Sequence, residues 1–262
     1  MEYILYFLVA LVATAAGSVT GMGGGIILKP VLDAMGAFDI ATANLLSSIT
    51  VFVMALVSVI KRIKQKTEIK PKMAVPLAAG SLLGGNAGQF ILAGIISAFH
   101  ADRMVVVLQN TCLVISTLAV FLYMQKGERR PTLNVKGVAP TLLTGILIGT
   151  LSTFLGIGGG PINVALLIFV CACDIKTAAL YSIITILFAQ ASKLAFVLLS
   201  GKFFSHDLSI LPGMVMGAVL GGWTGSWLNQ RLSEKRVERA FNSIQVLVFI
   251  ICLFNIFHHL TM

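Results

Sequence analysis

The chain has 262 residues, 57% hydrophobic and only 11% charged, with a formal net charge of +9. So little polar surface excludes a water-soluble globule of this length and defines an integral membrane protein. The basic excess sits in short connections between apolar runs, so it marks cytoplasmic loops and excludes a nucleic-acid partner.

The apolar segments, in chain order, are 3–20, 26–37, 40–60, 73–98, 104–124, 137–155, 161–173, 177–200, 208–229 and 237–257. Several reach the roughly 20 residues that a helix rising 1.5 Å per residue needs to cross a hydrocarbon core of about 30 Å. The strands of a membrane barrel would instead alternate over about 10 residues. The first segment has no preceding Lys or Arg, so Ala13-Thr14-Ala15 is read as part of a retained helix rather than a cleavage site. Segments 26–37 and 161–173 would cover only about 18–20 Å as helices. Each is expected to pair with the segment before it as a hairpin turning at glycines. Asp39 and Asp174 then stand just before the next helices and read as N-caps.

Lys61, Arg62, Lys64, Lys66, Lys70 and Lys72 against Glu68 place the 61–72 link in the cytoplasm. Lys126, Arg129, Arg130 and Lys136 do the same for the central link, and Arg231, Lys235, Arg236 and Arg239 for the last. The links with His100, Asp102 and Arg103, and with Lys202, His206 and Asp207, face outward. Both termini are therefore expected outside the cytoplasm. The four cysteines, Cys112, Cys171, Cys173 and Cys252, lie in apolar segments without a nearby histidine and read as small buried residues. No metal or cofactor is implied.

The chain is duplicated. Gly21-Met22-Gly23-Gly24-Gly25 returns 135 positions later as Gly156-Ile157-Gly158-Gly159-Gly160, and residues 21–50 match 156–185 at 15 of 30 positions. Chance would give about two or three at residue frequencies of roughly 5–10%. After a two-residue shift, Gly80, Gly84, Gly85 and Gly88 match Gly217, Gly221, Gly222 and Gly225. The expected fold is an all-α integral membrane protein of two repeats, 1–125 and 137–262, joined by a basic cytoplasmic linker at 126–136. Each repeat is a Gly-tipped hairpin followed by three transmembrane helices. The loop charges give the repeats opposite topology, an arrangement that faces equivalent elements toward one another near the midplane.

Consecutive glycines allow tight turning and leave amides uncovered at a helix start, where free N–H groups and the dipole attract negative charge. Gly23, Gly24 and Gly25 with Gly158, Gly159 and Gly160 are accordingly candidates for a shared anion cradle, and close helix packing is the competing use. Pro161 supports a helix start after the second cluster. Lys29 and Lys193 are intramembrane cations. Lys29 either attracts substrate or pairs with Asp33 one turn later; Lys193 has no acidic neighbour at helical spacing and either meets substrate or snorkels. Ser47, Thr50, Ser182 and Thr185 recur at matched positions on one helix face and either line a pore or pack helices. Asn163 and Gln190 are further candidates, with Asn44.

These duplicated Gly-x-Gly-Gly-Gly motifs, the small-residue helices at Gly84-Gly85 and Gly221-Gly222, and the basic central link resemble the TauE/SafE family, also called the toluene sulfonate uptake permease family. The resemblance covers nearly the whole chain. It implies a multi-pass transporter in the bacterial inner membrane for a small anion such as sulfite, sulfoacetate or another organosulfonate, often outward. The expected partners are that anion and the lipid bilayer; a homo-oligomer is left open. An anion channel is the alternative. An intramembrane enzyme is disfavoured because His100, His206, His258 and His259 lie in links or at the terminus.

Overall fold

In the computed structural model, which describes residues 2–99, 102–135, 137–201, 203 and 206–261, the described chain folds into ten α-helices. His100, Lys136 and Lys202 fall outside the described residues. The first five helices are α1 (Glu2–Thr20), α2 (Gly25–Met35), α3 (Ile40–Lys64), α4 (Pro71–Phe99) and α5 (Asp102–Met124). After one 3-10 turn at Gly127–Arg129 come α6 (Val138–Phe154), α7 (Pro161–Cys171), α8 (Ile175–Leu199), α9 (Leu211–Arg231) and α10 (Glu234–Thr261). Among the described residues six helices, α1, α3, α4, α5, α8 and α10, are long and apolar enough to cross a membrane. The protein is a multi-pass membrane protein.

The matched ends of α3 and α8 follow from one device. Asp39 accepts hydrogen bonds from the amides of Ala41 and Thr42, and Asp174 from those of Lys176 and Thr177. Each carboxylate satisfies two of the free N–H groups at its helix start. Burial alone would raise the Asp174 carboxyl, but hydrogen bonds from the Thr177 side chain and from the Thr177 and Lys176 backbone outweigh it and hold the group below its ordinary range.

The short helices are the returning arms of hairpins. The Gly23 amide donates to Gly17 O at 3.4 Å, and a β-carbon on Gly24 would lie 2.9 Å from Thr14 Cα, so the chain folds back against α1 at this point. At the other end of α2, Phe38 packs edge-on against Tyr6 with ring centroids 5.8 Å apart. With 11 residues, α2 covers about 16 Å, roughly half a hydrocarbon core. Gly36, at φ 61, closes it in the left-handed conformation that glycine adopts without a side-chain clash. The second short helix, α7, also has 11 residues and starts on Pro161.

Helices from the two halves of the chain pack on each other through small residues. Gly80, Gly84 and Gly88 of α4 press on the carbonyls of Leu142, Ile146 and Thr150 of α6, too closely for a β-carbon. Gly217, Gly221 and Gly225 of α9 press in the same way on Phe7, Leu11 and Ala15 of α1. In membrane helices such stripes bring backbones into dispersion and Cα–H···O contact. In both pairs the residue numbers rise together, so α4 runs parallel to α6 and α9 parallel to α1. In contrast, Asn110 of α5 faces Asn255 of α10 at 3.4 Å, while Thr117 and Phe121 share a crevice with Gln245 and Phe249, so these two helices are antiparallel. Their outer faces expose Ile115, Leu118, Leu122, Val246, Leu247, Ile250 and Phe254 toward lipid. The interior holds α2 and α7, with Ile26, Leu28, Leu32, Val164 and Leu167 essentially inaccessible.

Candidate functional site

The two glycine motifs meet at the centre. A β-carbon on Gly23 would stand 3.5 Å from both Gly158 O and Gly159 Cα, one on Gly159 would stand 2.7 Å from Met22 O, and Gly25 presses directly on the Ile157 carbonyl. Gly23 and Gly158 have φ of 81° and 62°, and Gly159 154°, all in the region that disfavours side chains. The flanks correspond as well: Gly21 abuts Ala179 of α8, and Gly156 abuts Asn44 of α3, 135 positions apart. Three of these glycines therefore give up their side-chain space to neighbouring backbone. Among the described residues the amides of Gly24, Gly25, Gly159 and Gly160 have no backbone acceptor, which leaves donors at the starts of α2 and α7. At Gly160 a β-carbon would meet no backbone, only the tip of the Ile157 side chain, Cδ1, at 3.0 Å.

The hydroxyls singled out in the sequence separate into bonded and unbonded groups. Ser182 donates to Gly21 O at 2.6 Å, tying α8 to the first motif, and Thr185 donates to Ser182 O at 2.8 Å. Thr50 donates to Leu46 O at 2.8 Å. Ser47 is buried without a partner. Asn163 accepts from Ser152 at 3.1 Å, and its Nδ2 is unmatched. Gln190 lies against Gly158, with Nε2 2.9 Å from where a β-carbon would be, and both its amide atoms are buried and unmatched. Lys29 takes the structural option: it is bonded to Asp33, and both side chains are buried.

Lys193 is different. It is 2% exposed, and its Nζ has no hydrogen-bond partner among the described residues. Its counterpart at the repeat offset, Ser58, is fully stitched, bonded to Ser18 Oγ at 2.8 Å and to Gly222 O at 3.2 Å. Lys193 instead lines a cavity of about 440 Å³ with Asn44, Gln89, Ser200 and His206. That size is typical of small-molecule sites. His206 is fixed by a 2.9 Å contact between Nδ1 and Thr42 Oγ1. The cavity contains unmatched atoms of Asn44, Gln89 and Lys193. A buried ammonium and the unmatched Asn44 Nδ2, without a carboxylate among the described lining residues, suit a small anion, whereas the unmatched Gln89 Oε1 is an acceptor and suits a donor on the ligand.

Gln89 and His206 join this site without having been singled out by sequence reasoning. Gln89 follows the packing stripe of α4 directly, and a polar residue at that place in an apolar segment was its only signal. His206 sits in a link that the sequence reads merely as weakly charged.

An all-helical membrane fold with a cavity between helices of the two halves, lined by a buried lysine, is the arrangement of a membrane transport protein. The model of the family described as sulfite exporter TauE/SafE matches residues 6–251, and the chain belongs to that family. No curated protein matches the chain.

Proposed function

We propose that the protein is a secondary transporter that moves a small sulfur oxyanion or organosulfonate, such as sulfite or sulfoacetate, across the bacterial inner membrane by alternating access. The observation that carries this reading is Lys193, a buried cation without a hydrogen-bond partner among the described residues, lining a cavity together with Asn44, Gln89, Ser200 and His206. An uncompensated charge at that depth is costly, and an anionic ligand offsets the cost.

Transport rather than simple binding is supported by the arrangement around it. The 1–125 and 137–262 units are read as inverted repeats hinged on the 126–136 link. Antiparallel packing of the equivalent helices α5 and α10 supports inversion, as does the crossed pairing of α1 with α9 and α4 with α6. The Lys/Arg bias of the links supports a cytoplasmic central link and external termini. The proposed substrate path starts from the Lys193 cavity, with Asn44 and His206, and takes in Gln190, Ser47, Thr50, Ser182, Thr185, Asn163 and the amides of Gly23–Gly25 and Gly158–Gly160. Lys29 contributes through its pair with Asp33. An inside-negative potential drives an anion outward by about 2.3 kcal/mol per charge per 100 mV, so export requires no coupling ion.

The test is solute flux in proteoliposomes across sulfite, sulfoacetate, thiosulfate and sulfate. The reading expects saturable transport of at least one of these anions at carrier rates. Conductance far above carrier turnover would instead make the protein a channel, and no flux of any of the four would overturn the assignment of substrate class.

A further inference from the structure

The opposite end of the α3/α8 pair carries a second cavity, of about 500 Å³, that the Lys193 site does not use. It is the counterpart of the first. Arg62, Lys176 and Leu180 line it, and at the repeat offset these are Val197, Ala41 and Leu45, which line the first. The duplication thus provides one cavity at each end, but the residues that fill the equivalent places differ. Here Val197 and Ala41 are replaced by two cations.

The unmatched atoms identify the ligand class. Arg62 is 2% exposed; its Nη2 donates to Asn229 Oδ1 at 3.2 Å, and its Nε is buried without an acceptor. Asn229 is held in turn by donation from its Nδ2 to Val19 O at 2.5 Å. Gln230 Nε2, on the same wall, is also buried and unmatched. Both unmatched atoms are N–H donors. Lys176 is committed to the end of α9, donating to Gln230 O at 3.2 Å and Leu232 O at 3.1 Å, while the Lys70 amide donates to the Tyr181 hydroxyl at 3.0 Å. Three cations, Arg62, Lys70 and Lys176, line the cavity against one carboxylate, Glu68. Donors without acceptors in a net positive cavity call for an acceptor-rich anion, and a planar guanidinium suits an oxyanion.

We propose that this Arg62 cavity is a second anion-binding site, selective for small tetrahedral or pyramidal oxyanions of the sulfate or sulfonate type, that loads the transporter from the end bearing the basic 61–72 link. Its role in loading rests on the transport reading above; its capacity to bind does not. Occupancy would supply Arg62 Nε and Gln230 Nε2 with the acceptors they lack.

Cys171 and Cys173 line the same cavity and serve as native reporters. The experiment is alkylation of the purified full-length protein in detergent with neutral iodoacetamide, followed peptide by peptide by mass spectrometry, in sodium sulfate or in sodium chloride at equal ionic strength. Cys112, on α5 away from the cavity, is the control. Sulfate is expected to slow modification of Cys171 and Cys173 several-fold and to leave Cys112 unchanged. Lys193→Gln should keep the protection; Arg62→Gln should lose it. Because Arg62→Gln also breaks the bond to Asn229, Gln230→Glu gives a nearly isosteric second test, placing a carboxylate where the anion would sit, and should also lose protection. No protection in the unsubstituted protein, equal slowing at Cys112, or protection that persists in both cavity variants would overturn the proposal. A protein that transports nothing yet shows Arg62-dependent protection would retain the site and lose the transport reading.

Discussion

Gly159 and the Met22 carbonyl touch across the centre of the molecule, with a β-carbon on Gly159 placed 2.7 Å from Met22 O. The reciprocal approach of Gly25 to the Ile157 carbonyl makes the contact two-sided. Gly25→Ala and Gly159→Ala are therefore expected to destabilise the fold, by about 1–3 kcal/mol each, as overpacking commonly does. Gly160→Ala meets only the flexible tip of Ile157 and should destabilise less than either. If the α7 amides hold the anion, Gly160→Ala will still weaken ligand-induced thermal stabilisation. Equal melting temperatures for all three variants would show that the motifs do not meet as described.

The small-residue stripes give a position-specific prediction. Gly84→Ala and Gly221→Ala place a methyl group against a facing carbonyl and should lower the melting temperature and membrane abundance. Gly94, later on α4, has nothing within 4 Å of a β-carbon. Gly94→Ala should be neutral or stabilising by up to about 1 kcal/mol. Thermal unfolding in detergent, read at equal protein concentration, separates the two classes.

These stripes also show what the sequence makes visible and what it conceals. Gly84 and Gly221 recur at matched places with four-residue spacing, and Asp39 and Asp174 precede matched apolar runs, so local rules suffice to assign packing and capping. Lys29 has Asp33 one turn away, which makes pairing readable as an option. The meeting of Gly159 with Met22, by contrast, joins residues 137 positions apart, and periodicity within one helix carries no information about it. Arg62 looks like one more charge in a cytoplasmic link. Only the packing of α9 against α3 buries it beside Asn229. Likewise Gln89 comes to Lys193 from α4, by packing of the two halves, and His206 is held over the end of α8 by its contact with Thr42 of α3.

The Lys29–Asp33 pair predicts a non-additive pair of substitutions. Asp33→Leu alone leaves a buried ammonium without its partner and should cost about 3–5 kcal/mol. The double variant Lys29→Met with Asp33→Leu replaces both charges with apolar side chains and should recover most of that loss. Strict additivity in a double-mutant cycle would mean that the two groups are not coupled.

The N-caps predict an acid-sensitive component of stability. Hydrogen bonding holds the Asp174 carboxyl below its ordinary value of 3.8 despite burial, and the same holds for Asp39. Each folded-state pKa is depressed, so the stabilisation is present above the ordinary value and is lost as pH falls through the lower folded value. Asp174→Ala should cost about 1 kcal/mol at neutral pH. Its melting temperature should converge on that of the unsubstituted protein as pH drops below the ordinary carboxylate value; a constant difference down to the lowest pH would contradict the capping role.

The most direct measurement is sulfite efflux from proteoliposomes under an imposed inside-negative potential, comparing the unsubstituted protein with Lys193→Gln and Lys193→Arg at equal reconstituted amounts. The account predicts potential-driven efflux, its loss with glutamine and its partial retention with arginine, with both variants melting close to the unsubstituted protein. Undiminished efflux through Lys193→Gln would contradict it, because the buried cation that lines that cavity would then have no part in moving the anion.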